Sequence, residues 1–312
     1  MRRITKGSMN KPISAPIAHL LALVTITIWS TTYIASKVLL TAYTPMQIAL
    51  MRFVLAYAMM WALRPKLMKL DLKAELNCAL LGIFGCTLYF VGQNYALTYT
   101  LSSNVGILVA TAPMITAVLA HFFLPDEKLK KTVFIGCLIA LFGVALVSFN
   151  GTVVLKLNPV GDLLSIGAAL SWAIYSILLK QHAAKYDSLL LTRRVLLWGF
   201  ITSFPLSLLE RSAFSLAPLA QPSFLFSLLM LGFLGSGLCF VFWNLAMQRL
   251  GAVVVNNYIY ISPFLTMLTA GLFLKEPISL MGVGGAALIL LGVFITQYKK
   301  PVKAEAETAA AE

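Results

Sequence analysis

Two cations stand where the surrounding sequence is almost entirely apolar: Lys37 in WSTTYIASKVLL and Arg52 in MQIALMRFVLAYAMM. An ionisable side chain inside a hydrocarbon layer costs at least about 2.5–3.5 kcal/mol, so it must reach a partner, a wet cavity or the headgroups. Arg52 follows Pro45 by seven residues, roughly 10 Å along a helix, and its own apolar stretch offers no acid. Facing a cavity, its guanidinium would attract a carboxylate; snorkelling to the headgroups is the alternative for both cations. The same kind of stretch carries polar and aromatic side chains: Trp29, Ser30, Thr32 and Tyr33, then Tyr89, Gln93, Asn94 and Tyr95, then Trp172, Tyr175 and Ser176. Trp243, Asn244, Asn256, Asn257, Tyr258 and Tyr260 continue the series. Helix-to-helix hydrogen bonding accounts for each of these taken singly. As a set, Trp29, Tyr33, Arg52, Gln93, Asn94, Trp172, Tyr175, Trp243, Asn244, Asn257 and Tyr258 would suit a small polar, non-phosphate molecule between aromatic walls.

Groups for bond-breaking chemistry are missing from these stretches. All eleven acids fall at the ends of the apolar runs, between them or in the C-terminal tail, and His19, His121 and His182 also lie near run ends. There is no H-E-x-x-H and no nucleophile elbow, so the expectation is not an enzyme. Cys78, Cys86, Cys137 and Cys239 lack metal-ligand spacing and read as packing residues; no metal or cofactor is expected. Pro113 and Pro263 fall near the middle of two apolar runs. Each removes a backbone donor and frees a carbonyl upstream, either as a packing kink or as a break that lines a cavity.

The elements that must hold these residues are helices in lipid. Hydrophobic residues make up 60% of the 312 and charged residues only 11%, against about 25% charged in soluble domains. Ten apolar runs predict ten spans, at 17–40, 45–63, 76–98, 103–124, 130–149, 160–181, 189–210, 223–248, 253–274 and 279–298. The net charge of +13 belongs to the segments between them, which removes nucleic acid as a partner and leaves the positive-inside rule to read it. Nineteen Lys and Arg fall in the termini and the connections after the even-numbered runs; Lys156, Arg211 and Lys275 fall in the other set. That split places both termini in the cytoplasm of a multi-pass cell-membrane protein.

The two halves repeat. Trp29 and Lys37 return as Trp172 and Lys180, and Asn94, Ala96 and Pro113 return 150 residues later as Asn244, Ala246 and Pro263. Phe123-Leu124 returns as Phe273-Leu274, Asp126 as Glu276, and Gly143-Val144 as Gly292-Val293. Five helices per repeat is an odd number, so the halves must be inverted in the membrane. The fold class is all-α integral membrane: ten transmembrane helices as two inverted five-helix repeats. The organisation is a segment 1–16, a first repeat 17–149, a connection 150–159, a second repeat 160–298 and a tail 299–312. Inverted repeats are characteristic of alternating-access carriers with a site near the midplane.

The stretches ALTYTLSSNVGILVATAPMITAVLAHFFLPDEKL and GCLIALFGVALV, then GDLLSIGAALSWAIYSILLK and NLAMQRLGAVVVNNYIYISPFLTMLTAGLFLKEPISLMGVGGAALILLGVFI, resemble the EamA-type branch of the drug/metabolite transporter superfamily. The resemblance covers residues 20–298 and implies a ten-helix carrier that exports amino acids or other small metabolites. Pro125-Asp126-Glu127 stands where that family more often shows Gly-Glu, so either acid can be the counterpart of Glu276. An uptake carrier or a nucleotide-sugar exchanger is the alternative, and would want several cations facing the cavity. The expected partners are a small-molecule substrate and the lipid bilayer, the chain being a monomer or a homodimer. Inverted symmetry further predicts two ion-pair gates, Lys37 with Glu276 outside and Lys180 with Asp126 inside.

Overall fold

The structure, a computed structural model, describes residues 13–100, 102–149, 158–182, 185–274 and 278–297. The expected terminal segments before residue 13 and after residue 297, and most of the 150–159 connection, lie outside the described residues. Ten helices form: α1 (Ala15–Leu40), α2 (Pro45–Leu63), α3 (72–99), α4 (102–123), α5 (Lys131–Phe149), α6 (Pro159–His182), α7 (Ser188–Leu209), α8 (222–250), α9 (252–274) and α10 (Leu280–Gln297). Each contains a stretch long and apolar enough to cross a bilayer, and no strand occurs among the described residues.

The expected spans agree with these helices to within a few residues. The largest difference is the start of α3. Hydropathy places it after the polar pair Lys73 and Glu75, whereas Asp71 caps the helix by accepting from Ala74 N at 2.8 Å. A cap satisfies a free backbone donor whatever the polarity of the first turn, so α3 begins at Leu72.

Four helices are irregular, and the irregularities pair across the repeat. Both α3 and α8 widen into π-helical stretches, Ile83–Leu88 and Met230–Leu238. α4 is interrupted between Ser102–Val109 and Ala112–Phe123, just ahead of Pro113. α9 tightens to a 3-10 turn at Tyr258–Tyr260, just ahead of Pro263. A proline cannot donate to the carbonyl four residues back, so both helices change pitch one turn upstream of it.

The halves are built into one another. α1 packs on α8 and α9 while α6 packs on α3 and α4; α2 lies on the wide turn of α8 while α7 lies on that of α3; α2 meets α7, and α5 meets α10. Exchanging the halves reproduces the same set of contacts, as two inverted repeats require. The α5–α10 seam is the closest. A Cβ added at Gly292 would stand 2.5 Å from Ala140 N and 2.6 Å from Gly136 O, both backbone atoms that cannot swing away. In lipid, where helices gain little from hydrophobic attraction, such close approach is a main source of adhesion.

Gly292→Ala should therefore force α5 and α10 apart at an overpacking cost of about 1–3 kcal/mol, lowering the melting temperature of the purified protein in detergent. Gly284→Ala on the same helix, where nothing stands within 4 Å of the new Cβ, should melt with the wild type. Equal melting of the two variants would show that the seam is not tight.

Candidate functional site

The middle of the bundle is an aromatic cluster to which both halves contribute. The Trp29 ring stands 5.1 Å from Trp243, 5.6 Å from Trp172 and 5.7 Å from Phe240. Trp172 continues to Tyr89 at 5.1 Å and Tyr175 at 5.2 Å, and Tyr89 to Phe90 at 5.3 Å. The rings meet tilted or edge-on, the arrangements their quadrupoles favour.

Two hydrogen bonds tie this cluster to the widened turns. Trp29 Nε1 donates to Gly235 O at 2.8 Å in α8, and Ser171 Oγ donates to Phe84 O at 2.8 Å in α3. The donor sits on the first helix of one repeat and the acceptor in the wide turn of the other, in both directions. A π-helical turn misaligns its carbonyls and leaves them available to side chains.

Polar side chains run from the cluster toward the end that carries the α4–α5 and α8–α9 connections. Trp172 Nε1 donates to Asn256 Oδ1 at 2.9 Å, and Asn256 Nδ2 donates to Ala252 O at 2.8 Å. Tyr175 OH donates to Asn244 Oδ1 at 3.2 Å, and Asn244 Nδ2 to Thr192 Oγ1 at 2.7 Å. Tyr175, Thr192, Asn244, Asn256 and Asn257 are all buried. Toward the opposite end, Trp29, Thr32, Tyr89, Phe90, Gln93 and Asn94 are only half-buried. The middle is thus filled on one side and looser on the other.

The filled end closes on Glu127. Its carboxylate accepts from Ala252 N and Val253 N, 2.8 Å each, at the start of α9, where free donors and the helix dipole favour a negative charge. Lys180 Nζ lies 4.0 Å from the same carboxylate. Gly251 makes the turn with φ 95°, a left-handed conformation that a side chain strains; a Cβ there would also stand 2.6 Å from Glu127 Oε1. Alongside, Arg64 pairs with Asp187, Arg193 donates to the Arg64 and Lys66 carbonyls, and Arg194 lies 3.1 Å from Glu75. At the other end Glu210 accepts from Thr44 Oγ1, from Met46 N at 3.4 Å and from Tyr95 OH at 3.4 Å.

Comparison with known proteins places this architecture. The model of the EamA-like transporter family matches residues 16–149 and again 159–298. The chain belongs to the EamA-like transporter family. An uncharacterized transporter of Archaeoglobus fulgidus is 29% identical over 90% of this chain and 98% of its own. The uncharacterized transporter YetK of Bacillus subtilis is 28% identical over 76% of this chain and 71% of its own. One solved crystal structure shares the fold, with TM-score 0.76 at 22% identity, covering 91% of this chain and 97% of that one. The double match and the ten spans make the chain a multi-pass membrane transporter.

In this EamA-like chain the sequence-expected residues separate into groups. Trp29, Trp172, Tyr175, Trp243 and Asn244 come together in the middle. Asn257 turns to α5, accepting from Cys137 Sγ at 3.8 Å, and Tyr258 is hydrogen bonded to His19 of α1 at 2.7 Å. Gln93 and Asn94 are half-buried and make no hydrogen bond to another described residue. Pro113 is buried and Pro263 half-buried. Glu276 and the side chains of Tyr33 and Lys37 lie outside the described residues. The expected Lys180–Asp126 pair is replaced by Lys180 with Glu127. Asp126 is exposed and joins no ion pair among the described residues. The physical reason is that Glu127, one position on, points at the start of α9, and its longer side chain reaches two backbone donors there.

Thr192, Ser236, Phe240 and Glu127 were not marked as site residues by the sequence. The signal for Glu127 was the doubled acid at 126–127 facing a single Glu276.

Removing the Glu127 carboxylate leaves two helix-start donors unpaired, each worth about 1 kcal/mol or more. In a background lacking the four buried cysteines, Glu127→Ala should make a cysteine at position 256 react several-fold faster with a water-soluble maleimide added to opened membranes. Asp126→Asn should leave that rate unchanged. Equal rates in the two variants would show that Glu127 does not close this end.

Proposed function

We propose that this chain is a secondary carrier that moves small polar metabolites, amino acids or related compounds, across the cytoplasmic membrane by alternating access, in the direction of export. The observation that carries this reading is the graded middle. A cluster built by both halves is sealed with buried polar side chains toward Glu127 and stays half-buried toward Glu210. Such a site opens to one side of the membrane at a time. The exchange-symmetric contacts of the halves support a second state in which the filling is reversed, with a similar free energy. The basic residues collect at the Glu127 end, which supports placing that end and both termini in the cytoplasm. The irregular turns of α3, α4, α8 and α9 supply the places where helices can change pitch without losing backbone hydrogen bonds to lipid. A nucleotide-sugar exchanger is less well supported, because Arg52 is the one Lys or Arg among the described residues that reaches the cluster.

Two measurements test the reading. Purified protein in liposomes loaded with a mixture of the twenty amino acids should accelerate exchange of at least one labelled member over protein-free liposomes. Exchange of none, with folded protein present, would remove amino acids as substrates. For orientation, a cysteine placed after Lys303 should react with an impermeant thiol reagent only after the cell membrane is opened; ready labelling in intact cells would reverse the topology.

A further inference from the structure

Arg52 is a buried cation that pairs with no acid among the described residues. It sits on α2, buried to 8% exposure, about 10 Å in from the Glu210 end of the helix. Its Nε donates to Ser236 Oγ at 2.6 Å, in the wide turn of α8, and its guanidinium carbon stands 4.9 Å from the Phe90 ring centre. The titratable neighbours of its guanidinium are Cys86, Tyr89 and Cys239, none of them a carboxylate. Among the described residues no carboxylate pairs with it and no acceptor takes its terminal N–H groups, although Arg64, Arg194 and Lys180 each have an acid.

A guanidinium has five donors, and here one is used. Leaving a cation buried and unpaired is costly, and a fold that needed only bulk at this place would be served better by an apolar side chain. The surroundings also hold the head in a fixed pose. Gly235 is backed by Trp29, which bonds its carbonyl, and a Cβ on it would stand 3.2 Å from Thr32 Cγ2 and 3.4 Å from an Arg52 terminal nitrogen. The planar fork is thereby presented at the edge of the aromatic cluster, on its half-buried side.

We propose that Arg52 is the substrate-recognition residue of the carrier, taking a single carboxylate on its free terminal N–H groups while the carbon body of the substrate lies against Phe90, Tyr89 and Trp29. The substrate class is a monocarboxylate, free or as the carboxylate of an amino acid. One fork satisfies one carboxylate, whereas a phosphate or diphosphate would call for further cations, and among the described residues the cluster offers none. Ser236 acts as a positioning residue: it holds Nε so that the two terminal nitrogens face the cluster. This inference rests on the carrier reading given above.

The test uses the full-length purified protein and ligand protection against thermal unfolding. The probes are the twenty amino acids, the straight-chain carboxylic acids from acetate to octanoate, the amide of each, and inorganic phosphate. At least one carboxylate should raise the melting temperature of the wild type, its amide should not, and Arg52→Gln should weaken binding of that carboxylate about ten- to a hundredfold. Arg52→Lys, which keeps charge without the fork, should fall between. Without ligand, Arg52→Gln should melt no lower than the wild type, since no acid loses a partner; a structural cation would instead lower the melting point on removal. Protection by phosphate alone, protection by amides equal to acids, or an undiminished carboxylate preference in Arg52→Gln would each overturn the proposal. Exchange of an amide or amine by the wild type in liposomes, with carboxylates inert, would overturn it and leave the carrier reading standing. No exchange of any of these probes by folded wild type would remove amino acids and the other carboxylates as substrates, and this proposal with them.

Discussion

Every polar group inside the bilayer must be satisfied by the protein itself, because hydrocarbon offers neither donor nor acceptor. That constraint explains most of the middle of this chain. Trp172, Asn256, Tyr175, Asn244 and Thr192 hand hydrogen bonds from one helix to the next. Trp29 and Ser171 occupy the carbonyls that the π-helical turns of α8 and α3 release. Exceptions remain: the guanidinium of Arg52 has one side-chain acceptor, and the indole N–H of Trp243, fully buried, has no partner among the described residues, as is the case for Thr25 Oγ1 and Asn257 Nδ2. Arg52 and Trp243 stand in or beside the aromatic cluster.

The repeat gives the fold its symmetry and the ends give it a direction. Exchanging the halves maps α1 on α8 to α6 on α3, and the wide turn of α8 to that of α3. Burial does not follow the symmetry. Asn244 is buried and bonded while its repeat counterpart Asn94 is half-buried, and Trp172 is buried where Trp29 is not. The halves are thus alike in their contacts and unequal in their burial, and Glu127 bonds the start of α9 at the filled end. That contact joins a connection of the first half to a helix start of the second.

Much of the fold was legible because apolar runs near twenty residues long permit little else in lipid, and because the 150-residue offset from Asn94 to Asn244 and from Pro113 to Pro263 shows in the letters. The breaks ahead of the two prolines were legible for the same reason. The wide turns of α3 and α8 were not: Gly232 and Gly235 stand close to neighbouring side chains, and nothing in their spacing distinguishes an α-helical from a π-helical turn. The tryptophans and Tyr175 that meet in the middle were picked out by type and position, but the sequence could not tell that Asn257 and Tyr258 face α5 and α1. Helical spacing assigns a face only when a neighbour is known, and α9 changes pitch at Tyr258. Choosing between Asp126 and Glu127 needed the start of α9 in place.

The most direct test of the account is the distance between the α4–α5 connection and the start of α9, measured by pulsed electron paramagnetic resonance on spin labels at the exposed positions Lys128 and Arg249 in lipid nanodiscs. The account predicts two distance populations, a shorter one with Glu127 seated on α9 and a longer one with that end open, in proportions that shift when a transported solute is added. A single narrow distance that every transported solute leaves unchanged would contradict it.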